Sequence, residues 1–228
     1  MAPTPEKRTS HASIHADAVL FDMDGVLVDS KDVIERVLQR WALRHGLDPE
    51  AVRQLPHGQK TRDTITAFAP RLNVAEEVRW LDAEEERDLE GITAIRGAAG
   101  LLAELAPNEW AVVTSSGREL ARRRLAAAGL PLPLTLVSGD MVTQGKPAPD
   151  GYLMAAERLE RQPDACIVIE DAPAGIDAGL AAGMRVIGVA TTYPRARLSG
   201  CTAIVTDLSE IVLRRDASGI TLLLPPRD

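Results

Sequence analysis

Apolar residues in this chain recur in two rhythms, and the change between them divides it. Ala18-Val19-Leu20-Phe21 is an unbroken apolar run that stops at Asp22-Met23-Asp24-Gly25. That is the pattern of a buried strand closing in a turn, with Asp29 or Ser30 placed to cap a following helix. Beyond it the period is helical: Val33, Ile34, Val37, Leu38 and Trp41 share a face as far as the stop at Gly46, and Asp48-Pro49 starts a second helix. Residues 61–68 and 74–89 predict two more, the run Glu84-Glu85-Glu86 reading as a solvated acidic face. No strand-like run interrupts residues 31–96.

From Gly97 strands and helices alternate. Helices are predicted over 98–105, 118–128, 152–159 and 174–182, and strands over 110–114, 134–137, 166–169 and 186–189, with a short last strand at 204–205. Such alternation implies a parallel sheet covered on both faces. The expected fold is therefore α/β: a Rossmann-like parallel-sheet core formed by residues 17–30 and 97–228, with a small all-helical cap, residues 31–96, inserted after the first strand. Ligands of such sheets bind beyond the carboxyl ends of the strands, where the insertion would lie over them as a lid. Residues 1–16 are polar and lack an apolar signal core, so they read as a disordered leader. Residues 211–213 and 220–224 around a turn at 216–219 predict a hairpin, most plainly an addition to the edge of the sheet.

Composition narrows the class. With 228 residues, 45% of them hydrophobic, the chain can bury a sizeable core. A net charge of -7 argues against a nucleic-acid partner, which needs a basic face. No apolar run reaches membrane-spanning length. Cys166 and Cys201 lie in apolar, strand-like runs without metal-ligand spacing, as in a reducing compartment. A cytoplasmic protein, monomeric or weakly dimeric, is expected. His11 and His15 fall in the leader and suggest no role.

The chemistry gathers at the predicted strand ends. Asp22 and Asp24 follow the first strand, Thr114-Ser115-Ser116-Gly117 the second, Gln144-Gly145-Lys146-Pro147 the third, and Glu170-Asp171 the fourth. Singly these could be turn residues, helix caps or a solvated lysine. Together they put carboxylates, a hydroxyl and an ammonium on one edge of one sheet. Phosphoryl transfer needs that set: Mg²⁺ takes hard oxygen ligands at about 2.0–2.1 Å, which Asp22, the backbone carbonyl of Asp24 and Asp171 could supply. With phosphate oxygens neutralised by the metal and Lys146, Asp22 can act as the nucleophile and form an aspartyl-phosphate. Thr114 and turn amides would hold other oxygens, and Asp24 would be the acid and base.

The segments FDMDGVLVDS, VVTSSG, QGKPAPDGY and IEDAPAGIDAGLAAGM, in this order, resemble the four motifs of the haloacid dehalogenase superfamily, and the helical insertion is similar to its small cap. The likeness runs from Ala18 to about Tyr193. It implies Asp22 as nucleophile, Asp24 as acid/base, Thr114, Ser115 and Lys146 as phosphate binders, and Asp22, Asp24 and Asp171 as Mg²⁺ ligands with Glu170 at or beside the ion. The family often has a cis bond at the position of Lys146-Pro147. Within it, HGQKTRDTITAFAP and VTQGKPAPDGYL resemble the branch of glycerol-phosphate and 2-deoxyglucose-6-phosphate phosphatases, apart from Arg96-Gly97 where relatives commonly carry Pro-Gly.

The cap turn His57, Gly58, Lys60 and Thr61 would then face the site and choose the substrate. The expected activity is Mg²⁺-dependent hydrolysis of small sugar or polyol phosphate monoesters. A beta-phosphoglucomutase-like phosphotransferase and a non-catalytic phospho-receiver are the competing readings. A dehalogenase fits less well, because those members lack the second motif aspartate that Asp24 supplies.

Overall fold

In the computed structural model, which describes residues 12–53, 61–216 and 219–225, the first elements are β1 (Ala12–Ala16), β2 (Ala18–Phe21) and the two-residue β3 (Val28–Asp29). A helical block follows: α1 (Lys31–His45), α2 (Pro49–Arg53), α3 (Thr61–Phe68) and α4 (Val74–Arg87). The chain returns through β4 (Thr93–Ala94), which pairs antiparallel with β3, so entry to and exit from the block are laced side by side. This pair was not anticipated; two residues are too few to carry a period.

The alternating half then runs α5 (Ala98–Glu104), β5 (Trp110–Val113), α6 (Arg118–Ala127), β6 (Thr135–Val137), α7 (Asp150–Arg158), β7 (Cys166–Glu170), α8 (Pro173–Ala181), β8 (Arg185–Val189) and β9 (Ala203–Val205). Six strands form one parallel sheet in the order β6-β5-β2-β7-β8-β9. Every residue of β2, β5 and β7 is buried, as a sheet covered on both faces requires. Val19, Phe21, Val112, Ile167 and Ile169 join one core, while Ala18, Leu20, Ala111, Val113 and Val168 join the other.

The strand order decides where a ligand can enter. From β2 the chain moves outward through β5 and β6, then crosses back to β7 on the opposite side, so a crevice opens above the adjoining ends of β2 and β7. The helical block is carried on β3 and β4, directly after β2. Among the described residues no helix is long and apolar enough to cross a membrane.

Two expectations need correction. Residues 12–16, read as part of a disordered leader, form β1, which pairs antiparallel with β11 (Gly219–Leu224); Ile14 and Ala16 are buried in the core. Two apolar residues alternating with Ser13 and His15 are too faint a signal to separate from a polar leader. The hairpin is present, as β10 (Val212–Asp216) with β11, but it does not extend the parallel sheet. It joins β1 in a separate three-stranded sheet, order β1-β11-β10. Arg215 fastens it to the core through Glu109, with Nη2 donating to the carboxylate at 2.6 Å and to Glu104 O at 3.2 Å.

Candidate active site

The turn after β2 is wound tightly: Gly25 N donates to Val28 O at 2.8 Å, and Leu27 and Val28 both donate to Met23 O. Gly25 has φ of 83°, and a Cβ there would stand 2.1 Å from Asp171 Oδ2. Only glycine lets this backbone press against the end of β7. Register does the rest. Phe21 pairs with Ile169 and Val112, so Asp22 lies level with Glu170 and Thr114 follows one residue beyond Val113.

Lys146 arrives from the loop before α7, across a cis Lys146-Pro147 bond. Its buried Nζ donates to Asp22 Oδ1, to Glu170 Oε1 at 2.6 Å and to Val113 O at 3.2 Å. Glu170 is wholly buried and saturated: Oε1 also accepts from Tyr152 Oη at 3.0 Å, and Oε2 accepts from the backbone N–H groups of Asp171 and Ala172 at 2.9 and 3.0 Å. Burial by itself would lower the proton affinity of Lys146, but Asp22 and Glu170 outweigh it and hold the ammonium well above its ordinary pKa. Burial pushes Asp22 up to about 7 against the pull of Lys146. It raises Asp171 well above the carboxylate range, helped by Glu170 and Asp22.

Asp22, Glu170 and Asp171 each offer a carboxylate oxygen within 4.8 Å of the others. Three buried acids against one lysine are short of positive charge. The donor set is all oxygen, without sulfur or imidazole, and suits a hard divalent cation rather than a thiophilic metal.

Asp24 lines the same cavity but bonds to a different set of partners. Its Oδ1 accepts from Ser30 Oγ at 2.6 Å and Arg124 Nη1 at 3.0 Å, and its Oδ2 from Ser116 Oγ at 3.2 Å. Arg124, on α6, is almost completely buried and continues to Glu85 on α4, with Nη2 donating to Oε2 at 2.7 Å. Glu85 was expected on a solvated acidic face and instead is buried; the reason is that Glu77, Leu81 and Glu85 repeat every fourth residue, so they share the inner side of α4. Burial pushes Glu85 up to about 7, with Arg124 opposing.

A cavity of about 320 Å³ lies over these groups. Asp22, Asp24, Thr114, Ser115 and Asp171 line its floor, and Ile34, Leu38, Trp41, Ile65 and Leu81 of the helical block supply an apolar roof. Thr114 is buried, its Oγ1 accepting from Ser116 N at 3.1 Å. Of the four cap residues expected to select substrate, Thr61 lines the cavity, whereas His57, Gly58 and Lys60 lie outside the described residues. Arg124, Glu85, Ser116 and Tyr152 were not singled out from the sequence. For Arg124 the one local sign was its place four residues after Leu120, on the side of α6 that Leu120, Ala121 and Leu125 bury.

Residues 19–189 match the haloacid dehalogenase-like hydrolase family. Hexitol phosphatase A of Escherichia coli (strain K12) is 40% identical over 209 residues, spanning 90% of this chain and 97% of its own. Glycerol-1-phosphate phosphohydrolase 2 of Saccharomyces cerevisiae is 35% identical over 218 residues, 89% of this chain and 87% of its own. Among solved structures, CbbY from Rhodobacter sphaeroides in complex with phosphate superposes with a TM-score of 0.77 at 25% identity, over 86% of this chain and 96% of that one. With most of the parallel-sheet half and the whole helical block inside the matched range, the chain belongs to the haloacid dehalogenase-like hydrolases.

Proposed function

We propose that the protein is a phosphoric monoester hydrolase of small sugar or polyol phosphates, with the helical block acting as a cap over the site. The observation that carries this reading is Lys146, buried between Asp22 and Glu170 beside Asp171 at the strand ends. A phosphate lodged there meets one ammonium, and the carboxylate oxygens beside it are ligands for a cation that would offset its charge. The named relatives, a hexitol phosphatase and a glycerol-1-phosphate phosphohydrolase, support the substrate class. So does the cavity: 320 Å³ is at the small end of ligand pockets and accommodates a polyol ester rather than a macromolecule.

In this reading Asp22 is the nucleophile. A carboxylate oxygen of Asp22 bonds to phosphorus as the ester P–O bond breaks, giving an aspartyl-phosphate and a free alcohol. Asp24 gives its proton to the departing oxygen and then takes one from the water that attacks phosphorus, releasing inorganic phosphate. Lys146, Thr114 and Ser115 hold the phosphate oxygens. Asp22, Asp171 and the backbone carbonyl of Asp24 would hold Mg²⁺, which when bound neutralises charge on the phosphate. Glu170 accepts four hydrogen bonds already, so its part is to fix Lys146 and the start of α8. Thr61, with His57, Gly58 and Lys60, is assigned to substrate choice from the cap side.

The test is a panel of phosphate esters, including glycerol 1-phosphate, sorbitol 6-phosphate and glucose 1-phosphate, scored for released phosphate with and without magnesium. Hydrolysis of the polyol esters that needs magnesium and vanishes in Asp22→Asn is expected. Conversion of glucose 1-phosphate to the 6-phosphate without phosphate release would favour a phosphotransferase instead, and no multiple turnover of any ester would favour a phospho-receiver.

A further inference from the structure

One buried cation touches both parts of the molecule. The Arg124 side chain is 1% exposed, and its two terminal nitrogens point opposite ways, Nη1 to Asp24 on the core and Nη2 to Glu85 on the cap helix α4. Its Nη1 also lies 3.3 Å from Ser116 Oγ, which itself donates to Asp24, while Nε makes no hydrogen bond among the described residues. Asp24 and Glu85 both line the cavity beside Arg124.

A guanidinium buried only to glue two elements together is a poor investment of stability. Removing it from water carries a penalty that an ion pair often fails to recover, and a pair of apolar residues would join α4 to α6 as well or better. What an apolar pair cannot do is hold a carboxylate in a fixed direction. The guanidinium is a planar fork with fixed donor directions. With Ser30 and Ser116 it leaves Asp24 little rotational freedom.

We propose that Arg124 is a positioning residue for Asp24 and that Glu85 ties it to the cap, so that the proton-transfer carboxylate is correctly aimed only while α4 is seated on the core. This rests on the phosphatase reading, in which Asp24 protonates the leaving oxygen. Its consequence is a dependence on the leaving group. An alkoxide must be protonated as it departs, whereas p-nitrophenolate leaves without help, so an ill-aimed Asp24 penalises alkyl esters selectively. The ratio kcat/KM reports the step in which the ester bond breaks and is blind to the later hydrolysis of the aspartyl-phosphate, where both esters share one intermediate.

The experiment measures kcat/KM for sorbitol 6-phosphate, glycerol 1-phosphate and p-nitrophenyl phosphate, with magnesium, in the wild type, Arg124→Met, Arg124→Lys, Glu85→Gln and the double variant Arg124→Met/Glu85→Gln. For Arg124→Met we expect a fall of ~10² for the alkyl esters, the lower end of an acid/base loss, against less than ~3-fold for the aryl ester. Glu85→Gln should show the same selectivity at ~5- to 10-fold, and Arg124→Lys should recover part of the loss. The double variant should be no worse than Arg124→Met, because the residues act as one unit. Equal losses on all esters would mean a structural role and overturn the proposal, as would unchanged values or a gain on the alkyl esters. Should Arg124→Met lack a cooperative melt, Glu85→Gln decides alone by the same ratio. A wild type that hydrolyses none of the three overturns the phosphatase reading and this inference with it, whereas a working wild type with an unselective Glu85→Gln overturns the inference only.

Discussion

Gly175 stands on the first turn of α8 where no side chain fits, since a Cβ there would lie 1.6 Å from Glu170 Oε1. That oxygen is the one shared by Lys146 and Tyr152. Gly175→Ala must therefore displace the carboxylate or the helix, and either loosens the lysine that would carry the phosphate. We expect ester hydrolysis to fall more than ~10-fold and stability to drop by about 1–3 kcal/mol, the usual cost of overpacking. Gly100→Ala on α5 is the control: nothing lies within 4 Å of its Cβ, and the exchange should leave activity unchanged while stabilising by about 0.5–1 kcal/mol. Turnover and a urea melt on the two variants check both. At this scale the sequence was most informative where polarity broke an apolar run: Asp22, Thr114, Glu170 and Asp171 each end a strand, and parallel register carries strand ends to a common edge. It was least informative for Arg124 and Glu85. Each sits in a charged run that resembles surface, and their meeting depends on how α4 lies against α6, which no local period encodes.

Among the elements, α4 is fixed to α1 by a buried acid. Glu77 accepts from Trp41 Nε1 and bonds His45 Nε2, both at 2.8 Å. Glu77→Ala strands the indole N–H and should cost about 1–3 kcal/mol, read as a lower urea midpoint. Burial is the largest influence on Glu77 and acts upward, but the bonds from Trp41 and His45 together hold its carboxyl below its ordinary 4.5. A depressed carboxyl stabilises above its unfolded pKa and loses that contribution as pH falls through the folded one. The gap between wild type and Glu77→Ala should accordingly close as pH is lowered beneath 4.5. The separate sheet makes a second claim at this scale. Ile14 is 5% exposed and pairs with Leu222 across β1 and β11, so Ile14→Ala should lower the melting temperature, at a cost of about 2–4 kcal/mol. A variant as stable as the wild type would show that β1 contributes nothing to the core. The hairpin of β10 and β11 was legible, but neither the addition of β1 to it nor the closing pair β3–β4 could be read in advance. Both use strands whose pattern is too short or too polar to exceed background, whereas α1, α4 and the strands of the main sheet have enough consecutive turns or apolar residues to declare themselves.

For the molecule as a whole, the site stores electrostatic cost that a cation can relieve. Asp22 is pushed up to about 7, Glu85 up to about 7 and Asp82 up to about 6, in each case by burial first, and Asp171 stands well above the carboxylate range. Each of these groups binds a proton more tightly folded than unfolded. Between the ordinary carboxylate values near 4 and about 7 the native state therefore holds more protons than the unfolded chain, and stability falls as pH rises through that window. The carboxyls held low, Glu77, Asp88 and Glu109, act with the opposite sign but only beneath 4.5, so they leave the window clear. A divalent ion binding Asp22 and Asp171 competes with those protons, and it stabilises the native state alone. In chelator the melting temperature should be lower at pH 8 than at pH 5.5. Magnesium should raise it at pH 8 by several degrees, at roughly 2–4 °C for each kcal/mol of binding linkage, and barely at pH 5.5. Asp171→Asn removes one of the raised carboxyls and one expected ligand together, so in chelator it should melt above the wild type at pH 8 and answer weakly to magnesium. Scanning calorimetry on the two proteins at both pH values decides the matter: a magnesium response equal at pH 5.5 and 8, or undiminished in Asp171→Asn, would show that these carboxylates do not hold the ion.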